Sequence, residues 1–333
     1  MENPPSSPRR INQLRSEADA AFAMLAGMQL NVFTPLKNGP MTAEQIAAAV
    51  GVAPTRLRLL LYCLVAAELL TEKNGKFSNS AEANQFLVEG SPAYIGNKHA
   101  SLAHRWSTSL KTAESIRLGG PQTKLDFSNS PPEEVEKFLR NINANTVPAA
   151  RALLERYDFL AVKKLMDVGS GGAGLAITIT NAHPQLTATA VDLPQVVPIA
   201  RKIVSEQGMN DRIDVVAANV VTDALPRGHD VAVLRGLLQV LSSDDARLAV
   251  KNIGAALNQD GKIFIIGQIL DDSRTSPAEA VGFNLAFINS YDAGESYTEA
   301  EHRDWLREAG FVDIERADFL LDGSGLMTAR KGR

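Results

Sequence analysis

The stretch "KLMDVGSGGAGLAITIT", residues 164–180, constrains the fold of this chain more than any other segment. A short apolar run leads into a glycine-rich turn, and a second apolar run of helical character follows the turn. Gly169, Gly171 and Gly174 have the spacing G-x-G-x-x-G, in which glycines permit a tight turn and let a ligand approach the backbone closely. The segment therefore predicts a strand, a ligand-binding turn and a helix.

Beyond residue 160, short apolar runs alternate with helical stretches. This alternation is typical of βαβ units and of a parallel sheet covered by helices. "GFVDIERADFLLDGSGLMTARKG" predicts two final strands around a glycine-rich turn. We therefore expect an α/β domain with a Rossmann-like sheet, and the runs that predict its strands are residues 164–168, 187–191, 213–217, 231–234 and 263–267.

An aspartate ends the second of these predicted strands, in "TATAVDLPQ". Asp192 lies 23 residues after Gly169. A carboxylate at this spacing accepts hydrogen bonds from both hydroxyls of a ribose. NAD and S-adenosylmethionine (SAM) both use this geometry. Asp167 favours SAM, because D-x-G-x-G is the usual SAM loop and its acidic residue contacts the amino acid end of the cofactor. A dinucleotide fold more commonly has an apolar residue or glycine there, since its helix N-terminus receives pyrophosphate.

The first 150 residues have mainly helical patterns, and residues 42–79 have the order of a winged helix. Thr42 with Gln45 predicts a capping box, and Gly51 ends that helix. A leucine-rich second helix is expected to start at Thr55, and Asn74 with Gly75 predicts the turn of a small hairpin.

A winged helix serves either DNA binding or dimer packing. The second helix carries only Arg56 and Arg58 as basic residues among its leucines, which favours dimer packing. The leucine-rich helices of residues 11–70 also offer more apolar surface than so small a domain buries alone, so we expect a homodimer. The predicted organisation is a dimerisation domain at 1–100, a helical linker that contributes to the substrate pocket at 101–156, and a cofactor domain at 157–333.

Composition narrows the possible partners and location. The net charge of −4 and the isoelectric point near 5.8 argue against a general affinity for nucleic acid or anionic membranes. No apolar run is long enough to span a bilayer, and no apolar segment follows the paired arginines of "MENPPSSPRRINQ", which predicts a short flexible tail and a cytoplasmic protein. The single cysteine, Cys63, is expected to be packed in the core, and no metal site is predicted.

Six stretches form a family pattern: "LMDVGSGGAGLAI", "VDLPQVVPIA", "RIDVVAANV", "DVAVLRGLLQVLSSDDA", "LNQDGKIFIIGQIL" and "YTEAEHRDWLREAGF". Together they resemble the bacterial and plant small-molecule O-methyltransferases with an N-terminal winged-helix dimerisation domain, the group of caffeate- and hydroxyindole-type enzymes. The resemblance covers nearly the whole chain. It implies a Rossmann-like class I methyltransferase domain preceded by an all-α winged-helix dimerisation domain, with SAM as cofactor and a small-molecule acceptor.

The resemblance also implies which residues bind SAM. Asn219 and Val220 would flank the adenine, and Asn219 stands where the family usually has aspartate. Arg235 matches a family lysine beside the cofactor. The full implied set is Asp167, Gly169, Gly171, Asp192, Leu193, Asn219, Val220 and Arg235.

The chain departs from the family at the residues that handle the proton. The family usually has histidine in place of Gln239, and that histidine deprotonates the accepting hydroxyl. A glutamine amide is no base near neutral pH. Gly267 stands at the position of a family acid, and a second family glutamate aligns with Ser296 or, one place off, with Glu295. We therefore predict that Gln239 orients the acceptor and does not deprotonate it.

Two explanations for this departure remain open. The base is relocated, in which case His99 and His104 in "YIGNKHASLAHRW" are the candidates, since His183, His229 and His302 are expected to be exposed. Otherwise the acceptor atom carries no proton. A thioether sulfur forms a sulfonium without losing a proton, and its site needs position, desolvation and aromatic faces or carbonyl dipoles.

For a thioether acceptor, Tyr94, Trp106 and Tyr291 are candidate aromatic faces, and a substrate carboxylate would be held by an arginine: Arg105, Arg117 or Arg235. This base-free pattern is similar to that of the bacterial methylthiohydroxybutyrate S-methyltransferases of dimethylsulfoniopropionate synthesis. The predicted substrate-binding residues are Tyr94, His99, His104, Trp106, Gln239, Asn284 and Tyr291. Two other classes compete: a SAM-binding enzyme that catalyses elimination or cyclisation, and a winged-helix regulator with a ligand-sensing domain.

Overall fold

The computed structural model describes residues 7–124, 126–320 and 323–333. It divides the chain into two compact units, Met1–Ser107 and Thr108–Arg333. Within the described ranges, no single helix is long and apolar enough to cross a membrane, and only one bent pair, Ala43–Val50 with Pro54–Ala66, reaches that length and hydropathy when both helices are counted together.

The first unit combines helices with a small sheet. Its strands pair antiparallel in the order β1-β3-β2, and this sheet is the predicted wing, so the description "all-α" omits it. Residues 1–6 of the predicted tail lie outside the described residues, and the remainder becomes helical at Arg9. The elements are α1 (Arg9–Gln29), β1 (Met41–Thr42), α2 (Ala43–Val50), α3 (Pro54–Ala66), β2 (Leu70–Lys73), β3 (Lys76–Asn79), α4 (Ala81–Phe86) and α5 (His99–Ser109).

Local sequence signals set the boundaries of the winged helix. Thr42 and Gln45 form the predicted capping box, and Gly51 ends α2 in the left-handed conformation at φ +74°. Helix α3 begins at Pro54, one residue before the predicted start, because proline has the φ of a first helical residue and that position needs no N–H. Asn74 and Gly75 both have positive φ, as a two-residue hairpin turn requires.

The prediction that Cys63 is packed in the core is wrong. Leu61 and Leu64 of α3 are fully buried, whereas Tyr62 and Cys63 between them are exposed. The helical period of 3.6 residues explains this arrangement, because two residues between buried positions i and i+3 point away from the core.

The second unit is built on a seven-stranded sheet in the order β11-β12-β8-β7-β4-β5-β6. The five strands from β8 to β6 run parallel, and β12 pairs antiparallel with both β8 and β11. All five predicted parallel strands are present, as are the two final strands, although residues 321–322 of the predicted turn lie outside the described residues. The sheet strands are β4 (Lys164–Val168), β5 (Thr187–Asp192), β6 (Ile213–Ala217), β7 (His229–Arg235), β8 (Leu257–Gly267), β11 (Phe311–Asp318) and β12 (Gly325–Lys331).

Helices pack on both faces of this sheet, and an apolar cluster lies between the sheet and the helices on each face. The strand order reverses between β4 and β7, and ligands of open α/β sheets bind beyond the carboxyl ends of the strands at such a point. The helices of the whole unit are α6 (Thr112–Leu118), α7 (Pro132–Arg156), α8 (Gly174–Ala182), α9 (Val197–Glu206), α10 (Ser243–Ala256), α11 (Ala278–Ser290) and α12 (Glu299–Glu308). A two-stranded parallel pair, β9 (Ile269–Leu270) with β10 (Tyr297–Thr298), is separate from the main sheet.

Candidate active site

The glycine loop connects β4 to α8 at the point where the strand order reverses. Gly169 and Gly171 have φ of +67° and +54°, a region that glycine adopts without steric cost. A Cβ added to Gly169 would lie 2.9 Å from the Cδ1 atom of Leu237. The backbone N–H groups of Gly169 and Ser170 both donate to the carbonyl of Val191, at 2.9 and 3.1 Å, which ties the loop to the end of β5.

Asp192 ends β5 with its carboxylate against this loop. One oxygen accepts the backbone N–H of Gly171 at 2.7 Å, and the other accepts that of Leu193 at 2.7 Å. Burial raises the pKa of this carboxyl group above its usual range, while the two backbone donors oppose the rise. A carboxylate oxygen can accept more than one hydrogen bond, so both oxygens retain acceptor capacity for a pair of hydroxyls.

Asp167 lies in β4, two residues before Gly169, and is 2% exposed. Its carboxyl group accepts the backbone N–H of Ala176 at 3.0 Å, in the first turn of α8. Burial raises the pKa of Asp167 to about 7, and the nearby charge of Asp192 adds to the rise, against the lowering effect of the Ala176 bond. The residue therefore titrates near neutral pH.

This raised pKa predicts a pH-dependent stability. The folded-state pKa of Asp167, about 7, exceeds its ordinary value of 3.8, so the folded chain holds a proton that the unfolded chain has released. The resulting stability is complete below pH 4 and is lost as the pH rises through 7, with an upper limit of about 4 kcal/mol. Asp167→Asn keeps an acceptor for Ala176 and removes the titration. We expect the free energy of unfolding of Asp167→Asn, measured without ligand by urea titration, to exceed that of the parent increasingly from pH 5 to pH 8.

The matched control is Asp214→Asn, which changes an exposed aspartate of β6. Its stability difference from the parent should stay constant over the same pH range. A constant difference for Asp167→Asn as well would contradict the assignment of a neutral titration to Asp167.

The remaining predicted cofactor residues follow neighbouring strands at the same edge of the sheet. Leu193 comes directly after β5 and is 37% exposed, an unusual position for a large apolar side chain beside a polar loop. Asn219 and Val220 follow β6. The amide oxygen of Asn219 accepts the backbone N–H of Val221 at 2.9 Å, which leaves its amide N–H₂ group as a donor. Arg235 is the last residue of β7.

Gln239 lies beyond the end of β7, in a short 3₁₀ helix (Leu238–Val240), and is 1% exposed. Neither polar atom of its amide has a hydrogen-bond partner among the described residues. Arg235 ends β7 and Gly236 follows with φ +67°, so no helix connects Arg235 to Gln239. Burying an amide without partners is costly, and a polar ligand at this place would remove that cost.

Two glycines make room for Gln239. A Cβ added to Gly267, the last residue of β8, would lie 2.1 Å from the Nε2 atom of Gln239. One added to Gly294 would lie 2.2 Å from the Gln239 carbonyl oxygen. In this conformation the Gln239 amide therefore fills the space beside Gly267 that a side chain at position 267 would occupy.

The third position of the family's proton-handling group is also without an acid. The Ser296 hydroxyl donates to the carbonyl of Ala280 at 2.8 Å, and its backbone N–H donates to the Asn284 side chain at 2.8 Å. Glu295, the alternative alignment, is exposed and lies 3.4 Å from Arg274. Asn284 therefore supports the segment that contains Ser296. Tyr291 directly follows α11, and burial raises the pKa of its hydroxyl.

Four predicted substrate-binding residues belong to the first unit. Trp106 packs edge-on against Phe22 of α1, with ring centroids 5.5 Å apart. Tyr94 is partly buried, which raises its pKa. His99 is half-buried and His104 is exposed. Gln239, Asn284 and Tyr291 belong to the second unit, and a cavity shared by the two sets stays a prediction.

The predicted exposure of His229 and His302 is wrong. His229 is buried at the first position of β7, with its Nε2 atom 2.9 Å from the hydroxyl of Thr189. His302 is fully buried in α12 and donates from Nδ1 to the carbonyl of Thr298 at 2.8 Å. Burial lowers the pKa of both imidazoles. Polar residues beside both histidines in the sequence predict exposure, but they do not show which face of the strand or helix packs inward.

Sequence reasoning missed Asn143, which lies in α7. Its amide N–H₂ group donates to the carbonyl of Gly172 at 2.7 Å, and its amide oxygen accepts the N–H of Gly174 at 3.2 Å. A signal was present in the sequence: Gly172 is a glycine that the G-x-G-x-x-G spacing does not require. A Cβ there would lie 2.4 Å from Nδ2 of Asn143, so the extra glycine marks the approach of a neighbouring element.

Family models match both parts of the chain. The model of the O-methyltransferase domain matches residues 120–312, and the model of the O-methyltransferase dimerisation domain matches residues 18–89. The chain is 28% identical to the 3-hydroxy-5-methyl-1-naphthoate 3-O-methyltransferase of Streptomyces sahachiroi, over 92% of this chain and 90% of that protein. It is also 28% identical to the N,N-dimethyltransferase OxyT of Streptomyces rimosus, over 98% of both chains.

Solved structures share the fold. The SAM-dependent methyltransferase SibL, in its apo form, superposes with a TM-score of 0.77 at 26% identity, covering 98% of this chain and all of SibL. Human N-acetylserotonin methyltransferase in complex with SAM superposes with a TM-score of 0.75 at 21% identity, covering 100% of both chains.

Proposed function

The chain belongs to the SAM-dependent small-molecule O-methyltransferase family, and we propose that it methylates its acceptor without a general base at residue 239. SAM is the methyl donor, and its sulfonium supplies an electrophilic methyl group. The observation that carries the proposal is the buried Gln239 amide, which has no hydrogen-bond partner among the described residues and packs against Gly267. The family has a base at the first of these positions and an acid at the second.

The residues at the carboxyl edge of the sheet fit the donor. The glycine loop leaves room for close approach at left-handed backbone positions, Asp192 offers two carboxylate oxygens, and Leu193 offers an exposed apolar face beside them. The residues proposed to hold SAM are Asp167, Gly169, Gly171, Asp192, Leu193, Asn219, Val220 and Arg235.

A thioether sulfur is the acceptor that this chemistry favours first. It attacks with a lone pair, releases no proton and becomes a sulfonium, so the loss of a base leaves its reaction unaffected. The buried Gln239 amide has a free donor and a free acceptor within the described residues, and we propose that it holds a hydroxyl or carboxylate of the same substrate. A thioether acid such as methylthiohydroxybutyrate has both kinds of group.

An amine is the second candidate, because relatives at comparable identity are named N,N-dimethyltransferases. Besides OxyT, one is the 8-amino-8-demethylriboflavin N,N-dimethyltransferase of Streptomyces davaonensis, 26% identical over 91% of this chain. A neutral amine also attacks with a lone pair, and its proton leaves to solvent after the methyl group is transferred. Such an acceptor needs no base at residue 239 either.

An acceptor screen tests the proposal. Methyl-labelled SAM is incubated with the enzyme and with thioether acids, amines, phenols and carboxylic acids, and the products are identified by mass. Transfer to thioethers or amines with none to phenols supports a base-free reaction. Efficient transfer to a phenol would overturn it in favour of O-methylation with a relocated base.

We also propose that the first unit forms a homodimer through an exposed apolar face of α1 and α3. Leu14 is 49% exposed, Leu59 62% and Tyr62 51%, more apolar exposure than a single small unit usually retains. We expect light scattering at micromolar concentration to give a dimer for the parent and a monomer for Leu59→Glu.

Lys73→Glu, on the exposed wing strand β2, is the control and should remain dimeric. A monomeric parent chain would contradict the dimer proposal, and a dimeric Leu59→Glu would move the interface elsewhere.

A further inference from the structure

The side chain of Asn143 makes two hydrogen bonds to the backbone of the glycine loop, and these two bonds are here called the clasp. Its amide accepts from the N–H of Gly174 and donates to the carbonyl of Gly172, so both of its hydrogen-bonding ends engage backbone two residues apart. A single side chain therefore holds the chain on both sides of residue 173, where the loop meets α8.

The residue inside the clasp has an unfavourable backbone conformation. Ala173 has φ +59° and ψ 27°, the left-handed region, and it is fully buried. A residue with a Cβ atom adopts this region at a steric cost, and such strain persists only where the surroundings enforce it. The two hydrogen bonds of Asn143 lie on either side of Ala173 and add to the bond from the Ala173 N–H to the Ser170 carbonyl at 2.8 Å.

The clasp belongs to one face of α7. Leu139, Asn143 and Thr146 follow the i, i+4, i+7 spacing of a helical face. A Cβ added to Gly171 would lie 3.7 Å from Leu139, and one added to Gly174 would lie 3.3 Å from the Cβ of Thr146. This face of α7 therefore packs along the loop, and Asn143 is its polar contact.

We infer that Asn143 is a positioning residue for SAM, which holds the strained loop in its binding shape before the ligand arrives. This inference rests on the proposed assignment of the glycine loop to SAM. A loop that is already ordered binds more tightly, because less conformational entropy is lost on binding. Asn143 acts through the backbone of residues 172–174 and is assigned no contact with SAM itself.

The test measures the dissociation constant of SAM by calorimetry for the parent, Asn143→Ala and Arg151→Ala, an exposed position of the same helix. We expect Asn143→Ala to weaken SAM about tenfold and Arg151→Ala to match the parent. Hydrogen exchange of the ligand-free proteins should show faster exchange over residues 169–178 in Asn143→Ala alone.

A second substitution separates positioning from a general loss of structure. Glycine adopts the left-handed region freely, so Ala173→Gly removes the strain that the clasp contains. Added to Asn143→Ala, it should restore SAM affinity about fivefold, while in the parent background it should change the affinity less than twofold. If Asn143→Ala fails to fold, Asn143→Asp keeps the acceptor for Gly174, loses the donor to Gly172, and should also weaken SAM.

Each result decides the inference. A parent chain that binds no SAM would overturn the proposed function itself. A parent that binds, with Asn143→Ala within twofold of it, would overturn the positioning role. Weakened binding that Ala173→Gly does not restore would exclude action through the strain at residue 173.

Discussion

Replacing Asp192 with alanine is expected to raise the dissociation constant of SAM by about 100-fold, as measured by calorimetry. The reason is the pair of hydrogen bonds that its carboxylate would accept from two ribose hydroxyls, since a hydrogen bond to a charged group contributes about 1.5–3 kcal/mol. The position of the carboxylate supports this role: it lies against the glycine loop and is held by the N–H groups of Gly171 and Leu193.

The same hydrogen bonds make a second variant necessary. Asp192→Ala leaves two backbone donors without their acceptor and so also loosens the loop. Asp192→Asn keeps one side-chain acceptor and nearly the same volume but loses the charge and one acceptor oxygen. We expect it to weaken SAM about tenfold, from the loss of roughly one charged hydrogen bond.

Asp214→Ala, at the exposed aspartate of β6, should bind SAM as the parent does. Affinity for SAM that is unchanged in Asp192→Ala would contradict the assignment of this carboxylate to the ribose.

The sheet was predictable because its strands carry a strong local signal. Strands of a parallel sheet that is covered on both faces are continuous apolar runs, and 164–168 and 213–217 match the observed bounds of β4 and β6. The predicted start of β8, residue 263, is six residues too late, because the strand begins at Leu257. Its first part includes "NQDGK", a polar stretch whose composition is typical of a turn. Pairing with the neighbouring strands determines that boundary, and pairing is not visible in one strand's sequence.

The candidate site was predictable where one short segment contains the chemistry. The glycine loop and Asp192 follow from spacing along two adjacent strands. The packing of Gln239 on Gly267 does not, because Gln239 follows β7 whereas Gly267 ends β8, and the two meet only through the parallel pairing of these strands. The sequence shows Gln239 and Gly267 as two separate departures from a family pattern, and the structure adds that the glutamine amide packs against the glycine. Asn143 was missed for the same reason, since its partners lie 29 and 31 residues away.

The second large effect concerns the pH dependence of methyl transfer. For a thioether acceptor, the single-turnover rate constant is expected to be nearly constant from pH 6 to pH 9, because no proton leaves in the chemical step. A hydroxyl acceptor with a positioned base would instead show a rate that rises about tenfold per pH unit up to the pKa of that base. Rapid-quench measurements with saturating labelled SAM distinguish the two profiles.

Variants at residue 239 test the role of the amide in the same assay. Gln239→Ala removes the buried donor and acceptor, so we expect it to raise KM for the acceptor about tenfold and to lower kcat less than threefold. Gln239→His introduces an imidazole, but Gly267 supplies no acid to orient it and Ser296 is hydrogen-bonded to Ala280. We therefore expect no acceleration from Gln239→His and a flat pH profile in both variants.

The control is His104→Ala, which removes an exposed candidate for a relocated base; His99→Ala removes the other. Under the base-free mechanism both variants should keep the flat profile and the parent rate constant. A parent rate that climbs tenfold per pH unit to a plateau, and loses that climb in either histidine variant, would establish a relocated base. The acceptor atom would then carry a proton, and the thioether assignment would have to be abandoned in favour of a hydroxyl acceptor, since only a protonated nucleophile gains from a base whose pKa limits the rate.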